Sequence, residues 1–95
     1  MDESYVERVL ARVEAIGPGR VLTYGLIADE LGGGARQVGR VMSQYGESVP
    51  WWRVVRANGT LPPHLMLDAQ EHCALEGTPV RNGRVDVAKA VGAAI

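Results

Sequence analysis

Apolar residues recur at helical spacing near the start of the chain: Val6, Val9, Leu10, Val13 and Ile16 fall on one side of a 3.6-residue period. Ser4 followed by Glu7 has the form of a capping box for that helix, and Gly17-Pro18-Gly19 ends it. The short β-branched run RVLTY comes next. Thr23 is a suitable N-cap for a second helix, Tyr24 to Leu31, whose Leu26, Ile27 and Leu31 are expected to face inward. Gly32-Gly33-Gly34 breaks it, and a third helix is expected from Ala35 to about Tyr45, with Val38, Val41 and Met42 on one side.

Beyond Pro50 the period changes. RVVRANGTL alternates and holds Asn58-Gly59, which predicts a hairpin-type turn. PPHLMLDAQEHCALEG reads as a fourth helix, with Pro63 near its first turn and Gly77 as its stop. VRNGRV is the clearest hairpin pattern in the chain, an Asn82-Gly83 turn between matched valines and arginines. Asp86 is placed to cap a last short helix, VAKAVGAAI. The expected fold class is mainly α with small β hairpins, like a winged helix-turn-helix DNA-binding domain. Two short helices around a glycine-rich turn also fit an αα-hairpin that binds nothing, so pattern alone leaves both open.

Composition narrows this modestly. Ninety-five residues, 46% hydrophobic and 22% charged, suit one globular domain over residues 1–95. No stretch is apolar enough to span a membrane and no signal-peptide core is visible, so no membrane association is expected. The single cysteine, Cys73, excludes an internal disulfide and suits a reducing cytoplasm. A net charge of −1 argues against coating nucleic acid by charge alone. The distribution differs from the total: Arg36, Arg40, Arg53 and Arg56 are set against Glu47 alone, between acidic flanks. That arrangement fits one positive face, and equally fits scattered surface arginines.

The stretch VPWWRVV, residues 49–55, carries the most unusual chemistry, two adjacent tryptophans in a chain without phenylalanine. Neighbours in sequence do not share a helix face and alternate sides in a strand, so one indole is expected outside the core. TYGLIA (23–28), ARQVGRVM (35–42) and PWWRVV (50–55), in this order, resemble the C-terminal DNA-binding domain of O6-alkylguanine-DNA alkyltransferases. That family carries a Thr/Ser-Tyr helix, an A-R-x-V-G-x-x-M recognition helix and a Pro-Cys-His-Arg-Val active-site loop. Glu76-Gly77 matches a further family pair, and the likeness covers roughly residues 1–77.

The family's nucleophilic cysteine is matched here by Trp51, and an indole offers no thiolate for alkyl transfer. The pattern is therefore similar to the alkyltransferase-like proteins, which bind alkylated guanine without repairing it. Their usual motif has histidine after the tryptophan; this chain has Trp52. The resemblance implies that Tyr24 presses the phosphate side of the target nucleotide and that Arg36 enters the stack in place of the rotated base. It implies a lesion pocket of Pro50, Trp51, Arg53 and Val54, and DNA contacts from Thr23, Ala35, Gln37, Gly39 and Arg40, with small residues allowing minor-groove approach. The implied partners are double-stranded DNA containing O6-alkylguanine and the nucleotide excision repair proteins. A monomer is expected, cytoplasmic and associated with the nucleoid when DNA-bound.

Trp52 is expected to anchor the loop, Arg53 to order it or pair with a nearby acid, and Glu76 to serve structure at its helix end. Cys73 lacks the Pro-Cys-His-Arg setting and reads as a buried, inert thiol. Asp68, His72 and Glu76 share a face at i, i+4, i+8; without another convergent ligand they read as a solvated polar face. No catalytic residue, metal or cofactor is expected. A winged-helix regulator that reads sequence is the alternative, and an alkyltransferase using another acceptor is a third reading.

Overall fold

A computed structural model of the chain describes residues 3–62 and 65–92. Helix α1, Glu3–Glu14, buries Tyr5, Val6, Val9 and Val13. It is already helical at Glu3, so Ser4 lies inside the first turn and not at a capping-box position. Strand β1, Leu22–Thr23, leads into α2, Tyr24–Leu31, and the Thr23 side chain accepts the Leu26 N–H as the N-cap. Leu26 is a correction. It is 38% exposed, while Ile27 and Ala28 are buried, because the short helix rotates its Ile27–Leu31 side to the core.

The turn into α3, Ala35–Tyr45, is fixed by α1. The Tyr5 hydroxyl donates to Gly32 O at 3.0 Å and Arg8 donates to Leu31 O at 2.5 Å. Gly33 sits at φ 76°, where a Cβ would lie 2.7 Å from Gln37 Oε1 and 2.9 Å from the Tyr5 hydroxyl. The positive φ favours glycine, and a Cβ would also have to displace the Gln37 side chain and press on the Tyr5 hydroxyl. The angle between α2 and α3 is thereby set.

Strand β2, Val54–Val55, pairs in parallel with β1, Leu22 opposite Val54 and Thr23 opposite Val55. Successive strand residues point to opposite sides, and this ladder uses both. Leu22 and Val54 join α1, α2 and α3 in one apolar cluster. Val21 and Val55 join Leu61, Ala69, Cys73, Val85 and Ala90 in a second. The small sheet thus lies between two cores.

The parallel pairing corrects the hairpin expected around Asn58-Gly59. A turn does form there, with Gly59 N–H on Arg56 O at 2.8 Å and Arg56 N–H on Thr60 O at 3.1 Å, yet β2's partner is the distant β1. Helix α4, Met66–Glu76, ends at Gly77 in the left-handed region, φ 74°, as expected. Pro63 and His64 lie outside the described residues. Its inward side is small, Ala69 and Cys73, while Leu67 and Leu75 are more than 80% exposed. The predicted second hairpin forms as β3, Val80–Arg81, and β4, Arg84–Val85, across Asn82 and Gly83. Asp86 Oδ1 then accepts the Lys89 N–H at 3.3 Å to cap α5, Val87–Gly92.

Candidate functional site

Pro50 shapes the loop that carries both tryptophans. At φ −71°, ψ 72° it forms an inverse γ-turn, closed by the Trp51 N–H on Val49 O at 2.7 Å. A 3₁₀ turn, Trp51–Arg53, follows, so the loop is coiled where an extended one was expected. The two indoles still diverge, with ring centroids 5.7 Å apart and planes at 86°.

Trp52 turns toward α4. Its ring stacks on His72 at 3.8 Å with planes 9° apart, and Nε1 donates to Glu76 Oε1 at 3.0 Å. Arg53 also donates to Glu76, through Nε and its terminal nitrogen, and to Ile16 O at 2.7 Å. Gly19 N–H donates to Glu76 Oε2 at 3.2 Å. Burial opposes the Glu76 charge, yet the hydrogen bonds from Arg53, Gly19 and Trp52 outweigh it and hold the carboxyl below its ordinary value. Asp68, His72 and Glu76 are therefore not one solvated face: its last two members dock the tryptophan loop. The i, i+4 spacing of His72 and Glu76 was the available signal.

Trp51 also packs on the second core and meets His72 only edge-on, with ring centroids 6.0 Å apart. It is half-buried and lines a cleft of about 900 Å³ that runs along α3, with Tyr24, Ala35, Arg36 and Gly39 on the facing wall. Arg56, Leu65 and Asp68 lie on the loop and α4 side. The volume falls within the range of small-ligand sites. Gly39 has no packing reason to be glycine, since a Cβ there would come no closer than 4.0 Å to Tyr24. A mid-helix glycine weakens a helix by roughly 0.5–1 kcal/mol, so its bare surface points to something that approaches α3 closely. No side chain caps α3, whose N-cap is Gly34, and the Gln37 N–H turns back onto Gly34 O at 2.9 Å.

Burial pushes the Tyr24 phenol up from its ordinary value, against the opposing pull of Arg56. The hydroxyl therefore stays protonated at neutral pH and can donate to a phosphate oxygen. Arg36, Arg40 and Arg56 are exposed, and among the described residues their guanidinium groups make no hydrogen bond or ion pair. Arg36 and Arg56 line the cleft, where Glu47 and Asp68 match their charge, while Arg53 is neutralised by Glu76 behind it.

Not every expected site residue reaches the cleft. Trp51 lines it, with Tyr24, Arg36, Ala35 and Gly39. Val54 does not: it is fully buried in the first core. Arg53 lies behind the tryptophans on Glu76, and Pro50 acts through the turn. Thr23 is 8% exposed with its side chain engaged in the cap, so it sits beneath the surface where a phosphate contact was expected. Gln37 covers Gly33 beside Tyr5, and Arg40 lies exposed one turn beyond Arg36. Arg56, Glu47, Leu65 and Asp68 were missed as lining residues, because the sequence does not show which loops meet α3. Cys73 is buried, and burial pushes its thiol up, so it supplies no thiolate. No cluster of metal ligands occurs among the described residues.

Residues 4–77 match the family model of the 6-O-methylguanine DNA methyltransferase DNA-binding domain. Proteins named DNA base-flipping protein in Escherichia coli K12 and Shigella flexneri are each 38% identical over 90% of this chain and 72% of their own length. S. pombe Atl1, in complex with damaged DNA containing O6-carboxymethylguanine, superposes with a TM-score of 0.81 at 25% identity, covering 95% of each chain. S. pombe ATL in complex with DNA gives 0.78 at 26% identity and the same coverage.

Proposed function

This chain belongs to the family of the 6-O-methylguanine DNA methyltransferase DNA-binding domain, and from that premise we propose that it is a non-enzymatic sensor of O6-alkylguanine in duplex DNA. The carrying observation is a half-buried Trp51 on the wall of an open cleft, facing Tyr24 and Arg36 of the helix-turn-helix. A base inside a duplex can enter such a cleft only after rotating out of the stack, at a cost of a few kcal/mol. α3 approaches the minor groove with Ala35 and Gly39 innermost. Tyr24 donates to the phosphate of the target nucleotide and favours its rotation. Arg36, flat enough to stack and rich in donors, fills the gap. The extruded base lies against the Trp51 ring, which gives an alkyl group an apolar surface. A methyl gains only about 0.8 kcal/mol there, so bulkier adducts are held more tightly.

The chemistry stops at recognition. Trp51 occupies the position that the family likeness gives to the nucleophile, and the nearby Trp52 indole only donates, so neither residue supplies a nucleophile or base. On this reading the protein acts as a monomer in the cytoplasm and marks the lesion for nucleotide excision repair.

The test compares a duplex holding one O6-methylguanine with the same duplex holding guanine. The sensor binds the first more tightly, and its mass is unchanged after incubation. Equal affinity combined with preference for one DNA sequence favours a transcription regulator, and an added alkyl mass indicates a transferase. Either result overturns the proposal.

A further inference from the structure

The β3–β4 hairpin lies outside the stretch matched by the family model, residues 4–77. Asn82 at φ 55° and Gly83 at φ 75° form the left-handed pair of a tight two-residue turn. That turn fixes the register, and the register places Arg81 directly opposite Arg84. Both are exposed, and among the described residues neither guanidinium has a hydrogen-bond or ion-pair partner. Like charges facing each other across an antiparallel pair destabilise it. The fold gains nothing from this choice, and an acid at either position would have made a favourable pair. Two guanidinium forks held side by side on a short hairpin suit an anionic partner that accepts several hydrogen bonds.

The position of the hairpin ties it to the cleft. Val85 N–H donates to Gly59 O at 3.0 Å, which binds the hairpin to the Arg56–Thr60 turn. Between them runs a groove of about 480 Å³, lined by Asn58, Arg81, Asn82 and Arg84. Asp86 also lines it, but its carboxylate caps α5, leaving the groove with one net positive charge. Arg56, at the start of the same turn, lines the Trp51 cleft together with Arg36. One turn thus joins the two arginine groups.

We propose that Arg81 and Arg84 form a second phosphate-binding surface, which takes the backbone of the same DNA duplex beyond the nucleotide held at the cleft. The proposal rests on reading the chain as a DNA-binding protein. The hairpin contact lengthens the footprint and adds affinity without adding base information, because phosphates are the same at every step.

The experiment titrates the parent and an Arg81→Gln/Arg84→Gln variant with lesion and guanine duplexes across a salt series. Each lost phosphate contact reduces the slope of log K against log salt by roughly 0.9, so the double variant is expected to lose about 1.8. Its affinity falls by the same factor on both duplexes, its preference for the lesion is retained, and its thermal midpoint does not fall. An unchanged slope in a variant that keeps its lesion preference overturns the hairpin contact. A parent that shows no lesion preference while the variant's slope still falls refutes the sensor and leaves the hairpin contact standing. A parent that binds neither duplex removes both.

Discussion

Arg36 and Arg53 come from the same basic stretch, and the family likeness already gives them different roles, the first in the DNA stack and the second in the tryptophan loop. Burial separates them. The Arg53 side chain is 13% exposed and held on Glu76, whereas Arg36 is exposed at the first turn of α3 and borders the cleft. Substituting an exposed residue disturbs the fold little. Arg36→Ala is therefore expected to leave the thermal midpoint unchanged while weakening binding to lesion DNA more than tenfold, a loss above about 1.4 kcal/mol. A fluorescence-anisotropy titration checks this, and unchanged affinity would remove Arg36 from the mechanism. The tryptophans follow the same logic. Adjacency showed that they point apart; that Trp51 meets the cleft and Trp52 meets His72 depends on how α4 packs, which no local pattern records.

Among the elements, the helix-turn-helix was the most legible part, because its signals are local: apolar spacing in α1 and α3, a capping Thr23, and glycines where α2 must stop. The sheet was not. Asn58-Gly59 correctly marks a turn, but β2 finds its partner some thirty residues back in β1, and such pairing is set by the packing of both cores. The packing of α4 is equally non-local: it meets the second core through Ala69 and Cys73, leaving the larger Leu67 and Leu75 outside. Gly59 joins the elements most tightly, since it has φ 82° and a Cβ there would run into Val85 O. Gly59→Ala is expected to cost on the order of 2–3 kcal/mol and to lower the thermal midpoint by roughly 10 °C or more. Gly83→Ala, with positive φ but open space around it, isolates the backbone share at about 1 kcal/mol. Calorimetry on the two variants separates strain from collision.

For the molecule as a whole, Glu76 joins the segment after α1 to the tryptophan loop and the end of α4 through Gly19, Trp52 and Arg53. Its carboxyl is held below the ordinary value of 4.5, so it stabilises the folded state fully above that pH. That contribution is lost as pH falls through the lower folded value. Urea unfolding at a series of pH values should show stability dropping on the acid side of 4.5. Glu76→Gln should reduce stability near neutrality by about 1–3 kcal/mol, as losing hydrogen bonds to a charged group does, and should flatten the acid limb. An identical acid limb in the variant would assign it to other carboxylates.

The tryptophan pair also gives the protein an optical property. With only two indoles in the chain, emission comes from one ring clamped against an imidazole and another bordering the cleft. The clamped ring supplies a steady background, and the one bordering the cleft responds to whatever lies against it. Occupancy of the cleft is thereby written into the protein's own fluorescence, without any dye attached to the chain or to its ligand.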